Sequence, residues 1–468
     1  MRYRRVLFLA GAIVYGVLGF APWSRADLGL PPALPADSLV QERTATAGAQ
    51  GFYFPAEFEE HEAVWMGWPF RENKTGWSIQ DLHVQLWAAM APHIDVNVAV
   101  NPDNAALGLN YDAQVAEIRA LMKKYQVPED RVRIFPIAHE DVWWRDMGPV
   151  YLVDGKGNRA AVDFGFNSWG YESSDTEYCR KEGAIDAQVA RLQGVNRIFK
   201  TDMVSEGGNR EVNGKGVLLV VEAVEKQRNP GMTKEQMESE FKRVLGVTKV
   251  IWLNQGRYDD TLPWVGRLPD QDGALSLYPT TASGGHIDEH VRFAGPNRIL
   301  YTEVSDEESR QDPIAAENKR RFEENLRILK AATDQDGKPF ELIAMPSAPT
   351  VITTLQPGDP TYDYLASYDR MIAFNKIPDG QPIRVVLAAS YLNFLVTNKV
   401  VLAQKYWQEG SPDEWKQLDE RAVAVLQSVF PDRKVIAFDT RAINIGGGGI
   451  HCNTQQVPKA VRQGVAAP

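Results

Sequence analysis

The chain has 468 residues, 44% hydrophobic and 24% charged, with a net charge of −10. That balance belongs to a globular protein of one to a few domains and excludes a fibrous or disordered chain. The acidic excess speaks against nucleic acid or an anionic membrane surface as a partner and suits a cationic ligand.

Arg2, Arg4 and Arg5 precede an apolar run from Val6 to Phe20, and Ser24-Arg25-Ala26 has the small-x-small pattern of a cleavage site. Residues 1–26 therefore read as a signal peptide, and a periplasmic or secreted protein is expected. The Arg4-Arg5 pair allows twin-arginine export. A retained membrane anchor is the alternative, although the run is short for a span. Residues 27–50, rich in Pro, Ala and Thr, read as a flexible mature N-terminus. From 51 to 460 no linker interrupts the pattern.

Helices are predicted where apolar residues recur at helical spacing, over Ser78–Pro92 and Asp112–Tyr125. Thr233-Lys234-Glu235-Gln236 is a capping box. Ser411-Pro412-Asp413-Glu414 reads as a second helix start, with Ser as cap and Pro at the first position. Short β-branched runs lie between them: Val96–Val100, Val217–Val221, Val247–Leu253, Val385–Ala389 and Val400–Leu402. The class is α/β throughout.

A looser regularity overlies this alternation. Four times a polar residue precedes a strand, a turn and a second strand. Asp146 leads to Val150–Val153 and the turn Asp154-Gly155. Glu206 leads to Arg210–Val212 and Asn213-Gly214. Asp288 leads to Val291–Phe293 and Gly295-Pro296-Asn297. Asn393 leads to Leu395–Val396 and Thr397-Asn398-Lys399. Asp-Gly and Asn-Gly are strong hairpin signals. The spacing is too uneven for a strict repeat. Five such units, the fifth led by Cys452, would converge around an axis with their polar leaders in one pit; four ordinary hairpins are the plainer alternative.

Cys452 follows the run Gly446-Gly447-Gly448-Gly449-Ile450-His451. Consecutive glycines suit a backbone that turns tightly or lies close to a ligand, so Cys452 is the candidate nucleophile. Cys179, in a polar stretch, reads as structural. Two cysteines are too few for a disulfide framework or a cysteine-built metal cluster; a single Cys179–Cys452 bridge is the one pairing open. His286, in Ser283-Gly284-Gly285-His286-Ile287-Asp288, is the candidate base. If this stretch is a strand, Asp288 shares its face, and so does His290, the second choice. His451 neighbours Cys452 and in extended backbone points the other way, so it is not chosen. Trp143-Trp144-Arg145-Asp146 is either core plus salt bridge or an aromatic wall beside a carboxylate, as a planar cation requires. Three carboxylates (Asp146, Glu206 and Asp288) around a thiol suit poorly a reaction that builds an oxyanion. They suit a guanidinium, whose planar donors carboxylates grip in pairs.

These motifs, with Phe58-Glu59-Glu60-His61-Glu62, Trp65-Met66-Gly67-Trp68-Pro69, Phe166-Asn167-Ser168-Trp169-Gly170 and Ala389-Ser390-Tyr391-Leu392-Asn393-Phe394, stand in family order from about residue 52 to 458. The chain resembles the agmatine deiminase branch of the guanidino-group-modifying enzymes, which also holds bacterial peptidylarginine deiminases. The resemblance implies a five-bladed α/β propeller, the pentein fold, with pseudo-fivefold symmetry, and makes residues 51–460 a catalytic deiminase domain. It implies that Cys452 attacks the guanidinium carbon, that His286 handles protons, and that Asp146 and Asp288 hold the guanidinium. Glu206, Trp143, Asn393 and Arg145 would bind substrate. No metal or organic cofactor is implied. Agmatine is the expected substrate, with arginine in peptides as the alternative and a non-catalytic binder of cationic ligands as a third reading. Two departures bear on the substrate's tail. After Glu206-Gly207-Gly208, relatives usually carry Ile-His-Val-Asp-Gly and this chain has Asn209-Arg210-Glu211-Val212-Asn213-Gly214, which makes Arg210 a candidate anion contact. Glu289 stands where they usually carry Asn.

Overall fold

The computed structural model describes residues 40–460 apart from 72 and 74, so the signal-peptide expectation lies outside the described residues. Among those described, no helix is long and apolar enough to cross a membrane.

Five of the six sheets among the described residues share one pattern, an antiparallel pair, a hairpin in four of them, whose second strand is joined by a parallel third. Val150–Val153, Arg159–Gly165 and Arg197–Val204 form one. Glu211–Val212, Val217–Val221 and Lys249–Leu253 form the next. Val291–Gly295, Arg298–Glu303 and Glu341–Pro346 follow, then Leu395–Val396, Val400–Lys405 and Lys434–Asp439. The last joins the two ends of the domain. Gln455–Pro458 pairs antiparallel with His61–Gly67, which runs parallel to Asp95–Val100, itself parallel to Val132–Pro136. The turns form as composition dictates: Asp154 Oδ1 accepts from the Lys156 and Asn158 amides, and Asn213 Oδ1 from those of Lys215 and Val217. A sixth sheet, Leu268–Pro269, Leu275–Pro279, Ile383–Val386 and Ile352–Leu355, breaks the pattern. No sheet among the described residues closes on itself.

The long parallel connections carry helices, as parallel pairing requires. Ile79–Met90 begins where Ser78 accepts from the Asp81 amide at 3.0 Å. It buries Leu82, Leu86, Trp87 and Met90 against Val64, Met66, Val96 and Val98, each full burial contributing ~1.5–3 kcal/mol. Tyr111–Lys124 is capped by Asn110, and Lys234–Leu245 begins at the expected capping box on Thr233.

Two expectations need correction, and one open alternative is closed. The C-terminal helix runs over Asp413–Val429 with Pro412 at the cap, so Ser411 lies outside it and caps nothing. Residues 40–50, expected within the flexible N-terminus, are docked: Val40–Glu42 extends a sheet through Arg197–Phe199, and Ala47 is buried against Lys234–Leu245. Both cysteines are free.

Candidate active site

Each of the five sheets that share one pattern is entered through an irregular segment, and a polar side chain stands at its end. Asp146 precedes Val150–Val153, Glu206 precedes Glu211–Val212 and Asp288 precedes Val291–Gly295. Asn393 precedes Leu395–Val396, and Cys452 precedes Gln455–Pro458. The five meet. Cys452 Sγ lies 3.1 Å from Asn393 Nδ2 and 3.5 Å from Asp288 Oδ2. His286 Nε2 lies 3.3 Å from Glu206 Oε2, and its Nδ1 lies 3.9 Å from Asp146 Oδ2. A cavity of about 490 Å³ reaches Cys452, His286, Asp146 and Trp143, a volume suited to a small ligand.

Two glycines let these groups approach. A Cβ on Gly208 would stand 2.4 Å from His286 Nδ1 and 3.2 Å from both Asp146 Oδ1 and Asp288 Oδ2. A Cβ on Gly448 would stand 2.6 Å from the Trp143 ring and 3.1 Å from Cys452 Sγ. Gly208→Ala is therefore expected to lower kcat/KM by ~10²-fold, the scale of a 1 Å misplacement in an active site. Its melting temperature should stay near that of the parent. Unchanged kinetics would mean that these side chains do not form one site.

The backbone at His286 is not the expected strand. His286 caps a short 3-10 turn, Ile287–Glu289. Asp260 builds the loop ahead of it, accepting from the Ser283 amide at 2.9 Å and the Gly285 amide at 2.8 Å. The turn sends His286 to Glu206 and Asp288 to the thiol, where a strand would have set them side by side. His290, the second choice of base, is buried away from Cys452, stacked on Phe322 at 5.3 Å.

The tryptophan pair divides. Trp144 is fully buried, stacked on Trp65 at 5.4 Å, whereas Trp143 lines the cavity. Arg145 does not pair with Asp146 and is not among the cavity residues. It is buried and bridges Glu57 at 3.1 Å and Gln456 at 2.6 Å, so it supports the site instead of lining it. Arg210 is also absent from the cavity lining. It is buried over the Phe164 ring and donates to the Ser205 carbonyl, which rules out the expected anion contact.

Several residues had no sequence signal of their own role. Trp169 Nε1 donates to Asp146 Oδ2 at 2.8 Å, while the Gly208 amide donates to Oδ1 at 2.7 Å. Ser168 and Trp169 both have φ of 52°, an uncommon conformation for residues other than glycine. Arg228 holds Glu206 at 2.8 Å. His451 points away from the thiol, as its position beside Cys452 implies, yet it bridges Asp288 and Glu57 at 2.7 Å each. Glu57 is in turn held by Arg145 and, at 3.0 Å, by Arg292.

Charge in this buried space is set by proximity. Burial opposes the His286 imidazolium, but Asp146, Glu206 and Asp288 outweigh it and lift its pKa to about 9. Burial likewise opposes the Glu206 carboxylate, but Arg228 and His286 bring it down to about 2. Burial, then the charges of Asp288, Glu289 and Asp146, hold the Cys452 thiol well above its ordinary value. At neutral pH the site holds a thiol beside an imidazolium, with Glu206 and Asp288 as carboxylates.

Such a site repels an oxyanion and attracts a delocalised cation, and the thiol gives it a nucleophile facing that cation. The site is that of a cysteine hydrolase for guanidino groups. The chain belongs to the Porphyromonas-type peptidyl-arginine deiminase family, whose model matches residues 53–263 and 275–458. It is a deiminase, a hydrolase of carbon–nitrogen bonds in linear amidines. It is 31% identical to an agmatine deiminase of Medicago truncatula over 87% of this chain and 96% of that one. It is 29% identical to an agmatine deiminase of Pseudomonas putida over 90% of this chain and 99% of that one. The solved agmatine deiminase of Enterococcus faecalis matches 90% of this chain and 100% of its own, with TM-score 0.68 and 25% identity. The mixed α/β fold is the one these structures share.

Proposed function

We propose that the protein converts agmatine and water to N-carbamoylputrescine and ammonia. Asp146 and Asp288 hold the guanidinium nitrogens, and Trp143 lies along the cavity wall. The arriving cation offsets the carboxylates around Cys452, so the thiol releases its proton to solvent and the sulfur attacks the guanidinium carbon. His286, fixed by Glu206, donates its proton to the departing nitrogen, which leaves as ammonia. The imidazole then takes one proton from water, whose oxygen adds to the thiouronium carbon; the second proton of that water returns to the departing sulfur as the ureido carbonyl forms. Asn393 donates to the sulfur at 3.1 Å and steadies it.

The choice of tail rests on the cavity wall. Glu140, Asp141 and Glu172 line it, and Arg71 is the one lysine or arginine among the described lining residues. Arg71 already faces Glu140 at 3.8 Å. An ammonium tail meets favourable charge there; a free α-carboxylate meets the opposite. The family description favours a second reading, arginine within peptides.

The five sheets read as blades of a pentein propeller around this cavity, supported by their shared strand pattern and by one converging side chain from each. The basic and apolar N-terminal sequence supports an exported enzyme.

Ammonia release and ureido product, measured with agmatine, free arginine and an arginine peptide in parallel, test the reading. Agmatine is expected to give the highest kcat/KM. Turnover of the peptide alone would overturn the substrate and leave the guanidinium chemistry intact.

A further inference from the structure

Glu289 is a buried acid with no part in the steps above. Its side chain is 3% exposed, and its Oε1 lies 4.0 Å from Cys452 Sγ. Neither Glu289 Oε2 nor Asp288 Oδ1 has a hydrogen-bond partner, an unfavourable state for a buried oxygen. Asp288 is answered by His451, His286 and Arg292, whereas Arg257, the cation that acts on Glu289, is already engaged by Asp259. A bound guanidinium would answer Asp288; it leaves Glu289 unexplained.

We propose that Asp288, Glu289 and Cys452 form a clamp for a divalent cation of the zinc class, and that this cation blocks the active site. One donor atom from each of the three lies within 4.8 Å of the others. Tetrahedral zinc, with bonds of ~2.3 Å to sulfur and ~2.1 Å to oxygen, sets sulfur and oxygen ~3.6 Å apart. The sulfur here stands 3.5 Å and 4.0 Å from its two carboxylate neighbours. Asn393 Nδ2 reaches both Cys452 Sγ, at 3.1 Å, and Glu289 Oε1, at 2.9 Å, and so keeps two of the donors in register. The cavity reaches Cys452, one of the three donors. The thiol proton passes to solvent as the metal–sulfur bond forms, with no change of oxidation state. A coordinated sulfur cannot attack carbon, and a coordinated Asp288 cannot hold a guanidinium nitrogen, so ion and substrate exclude each other. A thiolate beside two carboxylates prefers Zn²⁺ or Co²⁺ to Mg²⁺.

Co²⁺ titration of the full chain tests this without an activity assay, so its outcome is separate from that of the deiminase reading. One equivalent is expected to raise a near-ultraviolet thiolate-to-cobalt band and to protect Cys452 from iodoacetamide. Cys452→Ser should lose the band. Glu289→Gln should weaken Co²⁺ and Zn²⁺ binding at least about tenfold, while Glu289→Asp, which keeps the charge, should retain the band. Absence of the band in the parent, its persistence in Cys452→Ser, or equal affinity in Glu289→Gln would overturn the clamp.

Discussion

Cys452→Ala is expected to abolish ammonia release from agmatine, a loss of about 10⁴-fold or more in kcat. Among the described residues the only other thiol, Cys179, is 2% exposed and packed within the core beside Ile185 and Val189. Serine offers a harder, less acidic nucleophile, so Cys452→Ser should be nearly as inactive. Binding should survive. Asp146 is held by Trp169 and Gly208, and Asp288 by His451, and none of these bonds passes through the sulfur. Cys452 is a neutral thiol in the free site, so the substitution removes no charge and agmatine affinity should be kept. Isothermal titration on Cys452→Ala measures this directly. Residual turnover in the pure variant would remove the covalent mechanism.

The second large effect is expected at His286. His286→Gln should lower kcat by about 10²–10⁴-fold, the range for loss of a general acid–base group. The pH profile identifies the group. The departing nitrogen needs a proton, and the imidazolium that supplies it is present below about 9 and lost above it. In the parent, kcat/KM, which reports the free enzyme, should therefore fall as pH rises through about 9. Glu206 is one of the carboxylates lifting that value, so Glu206→Gln should move the fall to lower pH. A fall that stays in place would exclude His286 as the acid. The thiol predicts the opposite slope in the free enzyme. Because burial and carboxylates hold Cys452 above its ordinary value, alkylation should still be rising beyond pH ~8.5, where a free cysteine is half ionised.

The chain sequence alone marked Asp146, Glu206, Asp288 and Asn393, each a polar residue just ahead of a strand and a Gly- or Asn-bearing turn, and Cys452, just after a glycine run. Such signals are legible because a turn forms from residues that are neighbours in the chain. Helix starts at Ser78 and Thr233 were legible for the same reason, since a cap bonds an amide three residues away. At Ser411 the hydroxyl accepts from the Gln408 amide instead of a helix amide, and Asp413–Val429 starts without it.

Tertiary structure decided what surrounds these groups. The bond from His451 to Glu57 joins residues 394 positions apart, and that from Asp288 to His451 spans 163. No periodicity or spacing records such pairings. Arg145 read as a substrate contact from the resemblance, and Arg210 as an anion contact from its departure from the family motif, yet each side chain turns into the protein, where burial forces it to find partners. Trp143 and Trp144 are adjacent and identical, and one lines the cavity while the other is core. His286 and Asp288 would share a face in a strand; the bonds that Asp260 makes to the Ser283 and Gly285 amides fold their segment into a turn and part them. Sequence determined which side chains reach the pit, because strand and turn chemistry is local. The charge each carries there depends on burial and on distant partners, and only the assembled fold supplies both.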